Sequence, residues 1–435
     1  MSENAVAEER VLIVEDSAFY AAVLDKVVRE RLGLETRMCA SLAEAAAIVA
    51  AEGDSIFLAL LDLTLPDSMD GEIIDHMNAR GIPSVVFTAQ YSDEIRRRLM
   101  ARDVVDYVIK NSPASLEFLI GLVKRLHRNR AHRALVVEDS QTWREMVARL
   151  LRKYRFEVTT ARDGREALAV MDEGQQPLSL VVTDHEMPRM DGLTLIREIR
   201  RRYPPEVLPI IGLSSAENRT LSIQFIKNGA NDFLGKPFEP EEFFCRVSQN
   251  MDMLDSLVAL REAATLDYLT RLPNRRHFFA TADTCMSQSR ALGTSMALAV
   301  MDIDYFKTIN DTHGHDAGDT VLRQFSQVLR DNTRGDDVVA RHGGEEFVVL
   351  APGLDRTRAA EVFERLGAAI AATSFTLDDG QVLTVTASIG VCVAPDVPLE
   401  TMIGRADAAV YAAKEGGRNR VCFDDDTNAP ADGCE

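Results

Sequence analysis

The sequence has few of the features that mark a secreted or membrane-bound protein. Its 435 residues include six cysteines, which form neither a C-x-x-C pair nor a spacing typical of zinc ligands. We therefore expect free thiols and a cytoplasmic protein. The first ten residues, MSENAVAEER, are acidic and polar, unlike a secretory signal peptide. No apolar run approaches the ~20 residues of a membrane-spanning helix, so membrane insertion is not expected.

Basic charge is also scarce. The chain carries 49 Lys and Arg residues against 68 Asp and Glu, a net charge of −19. Non-specific binding of DNA or RNA depends on neutralising phosphates with Lys and Arg, so this balance argues against it. The sequence shows neither a helix-turn-helix region nor a basic patch, which argues against a transcription factor. We expect no nucleic-acid partner, although one nucleotide held by a metal ion and a few local cations is compatible with this charge.

The length predicts two to four domains, and an internal repeat indicates how the first two are arranged. The repeat has a period of 122 to 126 residues, which is the size of a domain, so it indicates tandem homologous domains and not a solenoid. The recurring segments are VLIVEDS (11–17) with ALVVEDS (134–140), LALLDLTLPDSMDG (58–71) with LVVTDHEMPRMDG (180–192), and DYVIK (106–110) with DFLGK (232–236).

Each copy alternates short apolar runs with helical patterns, which predicts a doubly wound parallel sheet with helices on both faces. In such a sheet, ligands bind at the carboxyl ends of the strands. Three carboxylates fall there in each copy, and they would repel one another unless a hard cation such as Mg²⁺ bridged them. These acids are Glu15, Asp16 and Asp62 in the first copy and Glu138, Asp139 and Asp184 in the second.

On these motifs, both copies resemble response-regulator receiver domains, which have a flavodoxin-like fold. The resemblance implies phospho-acceptors at Asp62 and Asp184, metal binding by the paired acids before them, and a sensor histidine kinase as partner. A degenerate receiver kept only for packing is the alternative, and the first copy departs from the pattern with Asn111 where the second has Pro237. The implied switch residues are Thr88, Tyr107 and Lys110 in the first copy and Ser214, Phe233 and Lys236 in the second.

The segments that join the domains carry two further predictions. No Gly/Ser linker separates the two copies, so we expect them to be held close together. After the second copy, apolar residues step by 3, 4, 3 and 4, a heptad pattern that predicts a dimerising signal helix. The pattern spans only two heptads, so a last receiver helix packed on its own sheet remains the alternative. The residues concerned are Phe244, Val247, Met251, Leu254 and Val258.

Carboxylates also mark the remaining third of the chain. The run MALAV predicts a buried strand that ends at Asp302 and Asp304. The stretch RHGGEEFVVL predicts a hairpin, in which Gly343 and Gly344 would supply the positive φ angles of the turn. If that hairpin is the neighbouring element, Glu345 lies beside Asp302. Two such carboxylates suit a pair of divalent ions that steady the charge of a phosphoryl group.

Five motifs occur in order over about 150 residues: DYLTRLPNRR, DIDYFKTIND, GHDAGD, GGEEF and KEGGRN. This series resembles the GGDEF domain of diguanylate cyclases, an α+β domain similar to the palm of nucleotidyl cyclases and polymerases. With two receivers ahead of it, the chain resembles a phosphorylation-regulated cyclase of a two-component system. The predicted divisions are a disordered N-terminus (1–9), receivers at 10–130 and 131–252, a signalling helix (253–265), the GGDEF domain (266–425) and a disordered acidic tail (426–435).

The resemblance implies a role for each site residue. Mg²⁺, or Mn²⁺ in its place, would be bound by Asp302, Glu345 and the Ile303 carbonyl. Glu346 would either deprotonate the ribose 3′-hydroxyl or serve a structural purpose, and Asp304 would bind metal or act as a hydrogen-bonding acid behind the site. The implied GTP contacts are Asp319 and Asn310 to guanine, Lys414, Arg418, Phe306 and Lys307 to the phosphates, and Gly343 and Gly344 along the backbone.

The implied reaction joins two GTP into cyclic di-GMP with release of two pyrophosphates. Each domain would hold one GTP, so a two-fold homodimer is expected. The segment RGDD matches the family's R-x-x-D inhibition motif, which implies a product site at Arg334, Asp337 and Arg365. A polar turn is the alternative for RGDD. The alternative for the whole domain is a catalytically silent GGDEF module that binds nucleotide or docks a protein.

Overall fold

A computed structural model describes residues 9–69, 71–90, 92–174, 176–215, 219–394 and 397–425. The predictions of disorder for the N-terminus, apart from residue 9, and for the acidic tail lie outside these residues. The chain divides into two compact units, residues 1–256 and 257–435. The five cysteines in the described ranges form no disulfides, as predicted. Among the helices described, none is both long enough and apolar enough to cross a bilayer.

The first half of unit 1 is a parallel sheet of five strands in the order β2-β1-β3-β4-β5. That order is the flavodoxin-like one predicted. Every residue of β3 is buried, because helices cover both faces of the sheet. The elements are β1 (Arg10–Val14), α1 (Ala18–Leu32), β2 (Glu35–Cys39), α2 (Leu42–Glu52), β3 (Ile56–Leu61), α3 (Glu72–Ala79), β4 (Ser84–Thr88), α4 (Asp93–Ala101), β5 (Asp106–Ile109) and α5 (Pro113–Asn129).

The second half of unit 1 repeats this architecture, with the strand order β7-β6-β8-β9-β10 and all pairs parallel. The repeat seen in the sequence is therefore a repeat of the fold. The elements are β6 (Arg133–Val137), α6 (Gln141–Lys153), β7 (Glu157–Ala161), α7 (Gly164–Glu173), β8 (Leu180–Asp184), α8 (Gly192–Arg200), β9 (Ile210–Ser215), α9 (Arg219–Lys227), β10 (Asp232–Lys236) and α10 (Pro240–Thr265).

The two halves of unit 1, the predicted receivers, share one hydrophobic core, which confirms that they are held close together. Leu122 and Leu126 of α5 belong to the same buried cluster as Phe244 and Met251 of α10. Arg125, only 5% exposed, pairs across this interface with Asp252 and Asp255 of α10. Further ion pairs join Arg96 to Glu241, and Asp103 to Arg149 and Lys153.

Helix α10 is continuous over 26 residues, but its heptad seam is not free. Phe244, Val247, Met251 and Leu254 are all buried in the core that the receivers share, and only Val258 is exposed. The predicted coiled-coil seam is therefore wrong for the first four positions, because the protein's own side chains already cover them. The alternative, a last receiver helix packed within its own unit, holds for this stretch.

Unit 2 is built on a mixed sheet in the order β12-β13-β11-β16-β17, with the fully buried β11 at its centre. β11 runs antiparallel to both neighbours, whereas β16 and β17 are parallel. The elements are α11 (Arg275–Leu292), β11 (Met296–Ile303), α12 (Phe306–His313), α13 (His315–Asn332), β12 (Val338–Arg341), β13 (Glu346–Pro352), α14 (Arg356–Ala372), β14 (Ser374–Thr376), β15 (Val382–Thr384), β16 (Ala387–Val393), α15 (Leu399–Glu415) and β17 (Arg420–Phe423).

Candidate active site and receiver sites

The candidate catalytic acids lie where the central strand of unit 2 meets a hairpin. Asp302 is the next-to-last residue of β11 and is only 8% exposed. The antiparallel register of β11 and β13 sets Asp302 opposite Glu346, and the Ile303 N–H donates to the Glu345 carbonyl oxygen at 3.3 Å. The predicted pairing of strand and hairpin is confirmed, and it brings the half-buried Glu345 to the end of β11.

The glycines of the hairpin turn differ from the prediction. Neither Gly343 nor Gly344 has a positive φ, so the predicted left-handed conformation is wrong at both positions. A Cβ atom on Gly343 would lie 2.5 Å from Glu346 Oε2, and one on Gly344 would meet nothing within 4 Å. A side chain at Gly343 would therefore displace the Glu346 carboxylate, which is the far end of an exposed and flexible side chain. At Gly344 the turn exposes bare backbone to open space.

Sequence reasoning missed the residue that holds this turn. The Arg341 guanidinium donates to the Gly344 carbonyl oxygen at 2.6 Å and to that of Gly343 at 3.2 Å, and also to Asp267 Oδ1 at 3.0 Å. Although burial opposes it, hydrogen bonds from Thr270 and Arg341 hold the pKa of Asp267 below its usual range. The signal was present in part, because Asp267 opens the first of the five motifs and Arg341 opens the stretch RHGGEEFVVL.

Positive charge reaches the two acids from the last turn of α15. Lys414 Nζ lies 2.8 Å from Asp302 Oδ2. Burial raises the pKa of Asp302 despite Lys414, and burial together with repulsion from Asp302 raises the pKa of Glu345. Two neighbouring carboxylates that are costly to ionise form an oxygen donor set that fits a hard divalent cation such as Mg²⁺.

The two residues predicted to contact guanine both lie next to Gly318. Asn310 lies on α12, and Asp319 lies on α13 directly after Gly318. A Cβ atom on Gly318 would fall 1.9 Å from Asn310 Oδ1, so the amide occupies the space that a side chain would need. That Oδ1 atom is buried and has no hydrogen-bond partner among the described residues. An unsatisfied amide beside a carboxylate offers the polar groups that a guanine edge can satisfy.

The candidate phosphate contacts surround the start of α12. The helix begins at Phe306, so the N–H groups of Phe306 and Lys307 belong to its first turn, where helices attract anions. Arg418 follows the end of α15, and its guanidinium carbon lies 4.5 Å from the ring centre of Tyr305, the residue that caps α12. The structure thus brings Arg418 to the start of this helix.

Asp304 is only 4% exposed, and its carboxylate is fully engaged. It accepts hydrogen bonds from Thr386 Oγ1 and Ser388 Oγ at 2.7 Å each and from the Asn419 N–H at 3.0 Å. Of the two roles predicted for it, these contacts favour the hydrogen-bonding acid behind the site. Glu346 is exposed beside the hairpin turn, a position open to either of its predicted roles.

A cavity of about 580 Å³ lies at the RGDD segment. Arg334 and Asp337 both line it, and the Arg334 N–H donates to Asp337 Oδ2 at 2.8 Å. Burial raises the pKa of Asp337. Arg365 is not among the lining residues, because it lies exposed on α14, whereas Arg330 on α13 does line the cavity and was not predicted.

The predicted site of the first receiver is assembled at the carboxyl ends of β1, β3 and β5. One ligand atom from each of Glu15, Asp16 and Asp62 lies within 4.8 Å of the others. Lys110 Nζ lies 2.6 Å from both Glu15 Oε2 and Asp62 Oδ2. Burial raises the pKa of Glu15, and its Oε1 atom is buried without a hydrogen-bond partner among the described residues. Three carboxylates with a spare buried oxygen fit a divalent cation.

The second receiver builds the same site. Its three acids, Glu138, Asp139 and Asp184, also lie within 4.8 Å, and Lys236 Nζ approaches Asp184 Oδ1 to 2.6 Å and pairs with Glu138. Burial raises the pKa of Glu138. The one tryptophan of the sequence, Trp143, lies with its ring 5.1 Å from Lys236 Nζ. Sequence reasoning missed it, although it falls at the repeat position of Tyr20, whose ring faces Lys110.

The predicted switch residues occupy the same places in both copies. Thr88 ends β4 and is buried, as is Ser214 near the end of β9. Tyr107 and Phe233 are both half-buried on the last strand of their sheet. Each copy therefore places a hydroxyl, an aromatic ring and a lysine on, or directly after, the last two strands of its sheet.

The profile of the family described as "Response regulator receiver domain" matches residues 11–120 and 134–248, and that of "Diguanylate cyclase, GGDEF domain" matches residues 264–420. The response regulator PleD of Caulobacter vibrioides is 29% identical over 95% of this chain and 98% of its own length. Diguanylate cyclase A of Treponema denticola is 35% identical over 43% of this chain and 54% of its own.

A solved structure of a two-component system response regulator/GGDEF domain protein is 41% identical, covers 57% of this chain and 99% of that one, and has a TM-score of 0.52. The matches cover both receivers and the catalytic domain, in the order that the repeat and the five motifs predicted. The chain therefore belongs to the response regulators of the PleD type, in which two receiver domains precede a GGDEF diguanylate cyclase domain.

Proposed function

We propose that this cyclase is active, that it condenses two GTP into cyclic di-GMP, and that phosphorylation of its receivers controls it. The observation that supports activity most directly is the meeting of Asp302, Glu345 and Lys414 at the end of β11. A silent GGDEF module would not need these charged groups together, because each is costly to bury without a partner or a ligand.

One group of site residues would bind the guanine of GTP, and another would bind its phosphates. Asp319 and Asn310 would bind the guanine edge, because a carboxylate can accept from both N1–H and N2–H₂. The start of α12, Lys414 and Arg418 would hold the phosphates. Mg²⁺ or Mn²⁺ bound by Asp302, Glu345 and the Ile303 carbonyl would neutralise phosphate charge near the reacting atoms.

Catalysis would require two copies of the chain. Each 3′-oxygen attacks the α-phosphorus of the other nucleotide, so two GGDEF domains must face each other with two-fold symmetry. The proton of the attacking hydroxyl would pass to a nearby base, and Glu346, exposed beside the turn, is the candidate. The product has the same two-fold symmetry as this arrangement.

A substitution at the metal site tests the catalytic proposal. Glu345→Gln keeps the size of the side chain but removes the charge, so we expect synthesis of cyclic di-GMP from GTP and Mg²⁺ to fall at least 100-fold, as for loss of a transition-state electrostatic contact. The matched control is Glu361→Gln on the exposed face of α14, with activity near wild type. Absence of product from the wild-type protein under any condition would instead identify a silent module.

The cavity at Arg334 is proposed as the site of product inhibition. The Arg334 guanidinium would stack on and pair with a guanine, and Asp337 would accept from its edge. Arg365 stays a prediction, and it could act only from outside the cavity. We expect Arg334→Ala to relieve inhibition by added cyclic di-GMP, whereas Arg276→Ala, on exposed α11, should leave it unchanged. Inhibition that survives Arg334→Ala would exclude this site.

The two receivers are proposed to accept a phosphoryl group from a sensor histidine kinase at Asp62 and Asp184. Mg²⁺ bound by the acid pairs would assist the transfer, and the lysines would balance the added charge. We propose domain divisions at residues 130, 252 and 265, as predicted from the sequence. Because α10 runs without a break from the second receiver past Ser256, it is the proposed route of the signal.

A further inference from the structure

We propose that the adjacent residues Asp304 and Tyr305 position Arg418 for the phosphates of GTP, Asp304 through the backbone and Tyr305 through the guanidinium. The inference rests on the proposed function, since it assumes that Arg418 binds phosphate. It adds a role for Asp304 and Tyr305, to which the proposed function assigns no contact with guanine or metal. Neither would then be a catalytic residue, because each acts through Arg418.

The turn that carries Arg418 has an unfavourable backbone. Gly417, Arg418 and Asn419 have φ angles of 111°, 64° and 46°, three successive residues in the left-handed region. Only glycine adopts this conformation without a steric penalty, so Arg418 and Asn419 persist there because surrounding contacts hold them. One contact is the Arg418 N–H, which donates to the Ala413 carbonyl oxygen at 2.9 Å and closes the end of α15.

Asp304 supplies the contact on the other side of the turn. Its Oδ2 atom accepts from the Asn419 N–H at 3.0 Å, and the same carboxylate accepts from the hydroxyls of Thr386 and Ser388. Ser388 is fully buried on β16, so the carboxylate is anchored to the sheet and not to a mobile surface. Two hydroxyl donors fix the position of this buried carboxylate, which makes Asp304 suited to hold a strained turn.

Tyr305 fixes the side chain that the turn presents. Its ring centre lies 4.5 Å from the Arg418 guanidinium carbon, and Arg418 Nη1 lies 3.4 Å from the hydroxyl oxygen. Tyr305 itself has a φ of 57° and is 63% exposed, so hydrophobic burial does not explain its placement. A cation over an aromatic face is attracted to it, and the ring limits the rotamers open to the guanidinium.

The pair also joins two phosphate-binding elements. Tyr305 is the N-terminal cap of α12, so the residue that orients Arg418 directly precedes the N–H groups of Phe306 and Lys307. Asp304 directly follows β11, which ends in the metal-binding segment. Two successive residues therefore set the position of an arginine relative to a helix start, and that spacing would determine how well a triphosphate, as opposed to a monophosphate, is held.

Binding, measured by calorimetry in Mg²⁺, tests the proposal without catalysis. The ligands are 3′-deoxy-GTP, which lacks the attacking hydroxyl, and GMP, which lacks the β- and γ-phosphates. We expect Asp304→Asn and Tyr305→Ala each to weaken 3′-deoxy-GTP binding about tenfold, as loss of one charge-assisted contact would. GMP binding should change less than twofold. Tyr305→Phe should retain most of the affinity for 3′-deoxy-GTP because the ring remains.

A double-mutant cycle separates positioning from general damage to the fold. If Tyr305 acts through Arg418, then adding Tyr305→Ala to Arg418→Ala causes no further loss of triphosphate affinity. The control is Tyr411→Ala, another tyrosine of unit 2 with 64% exposure, which should leave both affinities unchanged. Because Tyr305 is exposed, its variants keep the test open even if Asp304→Asn fails to fold.

The outcomes distinguish failure of the proposed function from failure of the positioning role. Wild-type protein that binds no 3′-deoxy-GTP would contradict the proposed function itself. If the wild type binds 3′-deoxy-GTP, three results would overturn only the positioning role. These are equal losses of affinity for 3′-deoxy-GTP and GMP, full additivity in the double-mutant cycle, and no loss of 3′-deoxy-GTP affinity on Tyr305→Ala. Selective, non-additive loss of triphosphate affinity supports it.

Discussion

Single residues of the catalytic domain make contacts so close that one methyl group would break them. Gly318 is the clearest case, because a Cβ atom there would overlap Asn310 Oδ1 at 1.9 Å. We predict that Gly318→Ala displaces the Asn310 amide and weakens binding of both 3′-deoxy-GTP and GMP by about tenfold or more, since both ligands share the guanine. Calorimetry on the two ligands measures this effect.

Gly404→Ala is the matched control for Gly318→Ala. Gly404 also lies within a helix of unit 2, but an added Cβ atom would meet nothing within 4 Å. We expect unchanged nucleotide affinity and a gain in stability of about 0.4–1 kcal/mol, because alanine restricts the unfolded chain. Equal affinities for the Gly318 variant and this control would contradict the assignment of Asn310 to the guanine pocket.

The raised pKa values of Asp302 and Glu345 predict how stability depends on pH when metal is chelated. A folded-state pKa above the unfolded value means that ionisation costs stability as pH rises through it. Glu345→Gln cannot ionise, so we expect it to raise the melting temperature of unit 2 at pH 8. The gain in melting temperature should vanish near pH 4, about the unfolded pKa of glutamate, because the Glu345 carboxyl of the folded wild type is then also protonated.

Thermal denaturation in excess chelator at both pH values checks this prediction, with Glu361→Gln as the control for loss of a surface carboxylate. A gain of the same size at both pH values would mean that the cost of ionising the partly buried Glu345 carboxyl is not its cause. A lower melting temperature for Glu345→Gln at pH 8 would contradict the raised pKa directly.

At the scale of elements, α10 contains a buried and an exposed position of the same heptad pattern. Met251 is fully buried in the core that the receivers share, whereas Val258 is 49% exposed. We predict that Met251→Ala destabilises unit 1 by about 2–5 kcal/mol through the cavity it leaves. Val258→Ala should change stability by less than about 0.5 kcal/mol.

Denaturant unfolding followed by Trp143 fluorescence measures the stability of unit 1 in both variants, because Trp143 lies within unit 1, whereas Val258 lies just beyond it. Equal stability of the Met251 and Val258 variants would contradict the packing of α10 against the receivers. A large effect of Val258→Ala confined to the oligomeric state would instead assign a partner helix to the last turns of α10.

The sequence predicted elements well wherever their pattern reflects contacts inside one domain. The doubly wound sheets follow from the alternation of strands with helices. The β11–β13 pairing and the clusters at Asp62 and Asp184 follow from strands that end in acids. The heptad interpretation of α10 failed because a step of 3 and 4 describes any apolar helix face, whether a second chain or the same chain covers it. The sequence does not show whether the surface that covers this helix face belongs to the same chain or to a second one.

Other features of the site depend on three-dimensional contacts that no spacing encodes. The closeness of Gly343 to the Glu346 carboxylate arises from the path of the Glu346 side chain. Arg341 holds the turn through its hydrogen bonds to the Gly343 and Gly344 carbonyl oxygens, and Asp267 pairs with the same guanidinium. The left-handed turn at Arg418 was hidden for a similar reason, since arginine and asparagine give little sign of a positive φ.

For the whole molecule, the two receivers form one structural body that contains two matching clusters of three acids and a lysine. Trp143 distinguishes them, because its ring faces Lys236 of the second site and the sequence holds no other tryptophan. We predict that Mg²⁺ bound by the acids of the second receiver weakens the ion pairs of Lys236 with Glu138 and Asp184. Because Lys236 lies over the Trp143 ring, Trp143 fluorescence should change. Asp139→Asn should abolish the change, and the equivalent Asp16→Asn should leave it intact. A response lost equally in both variants would show that the two sites are not independent.

The central claim is that the receivers control the cyclase, and the rate of cyclic di-GMP synthesis from GTP and Mg²⁺, with and without beryllofluoride, tests it most directly. Beryllofluoride mimics a phosphoryl group on aspartate, so we expect it to activate the wild type. Asp62→Asn and Asp184→Asn, singly, will show which receiver carries the signal, and the double variant should show no activation while keeping its basal rate. Activation that persists in the double variant would contradict the account.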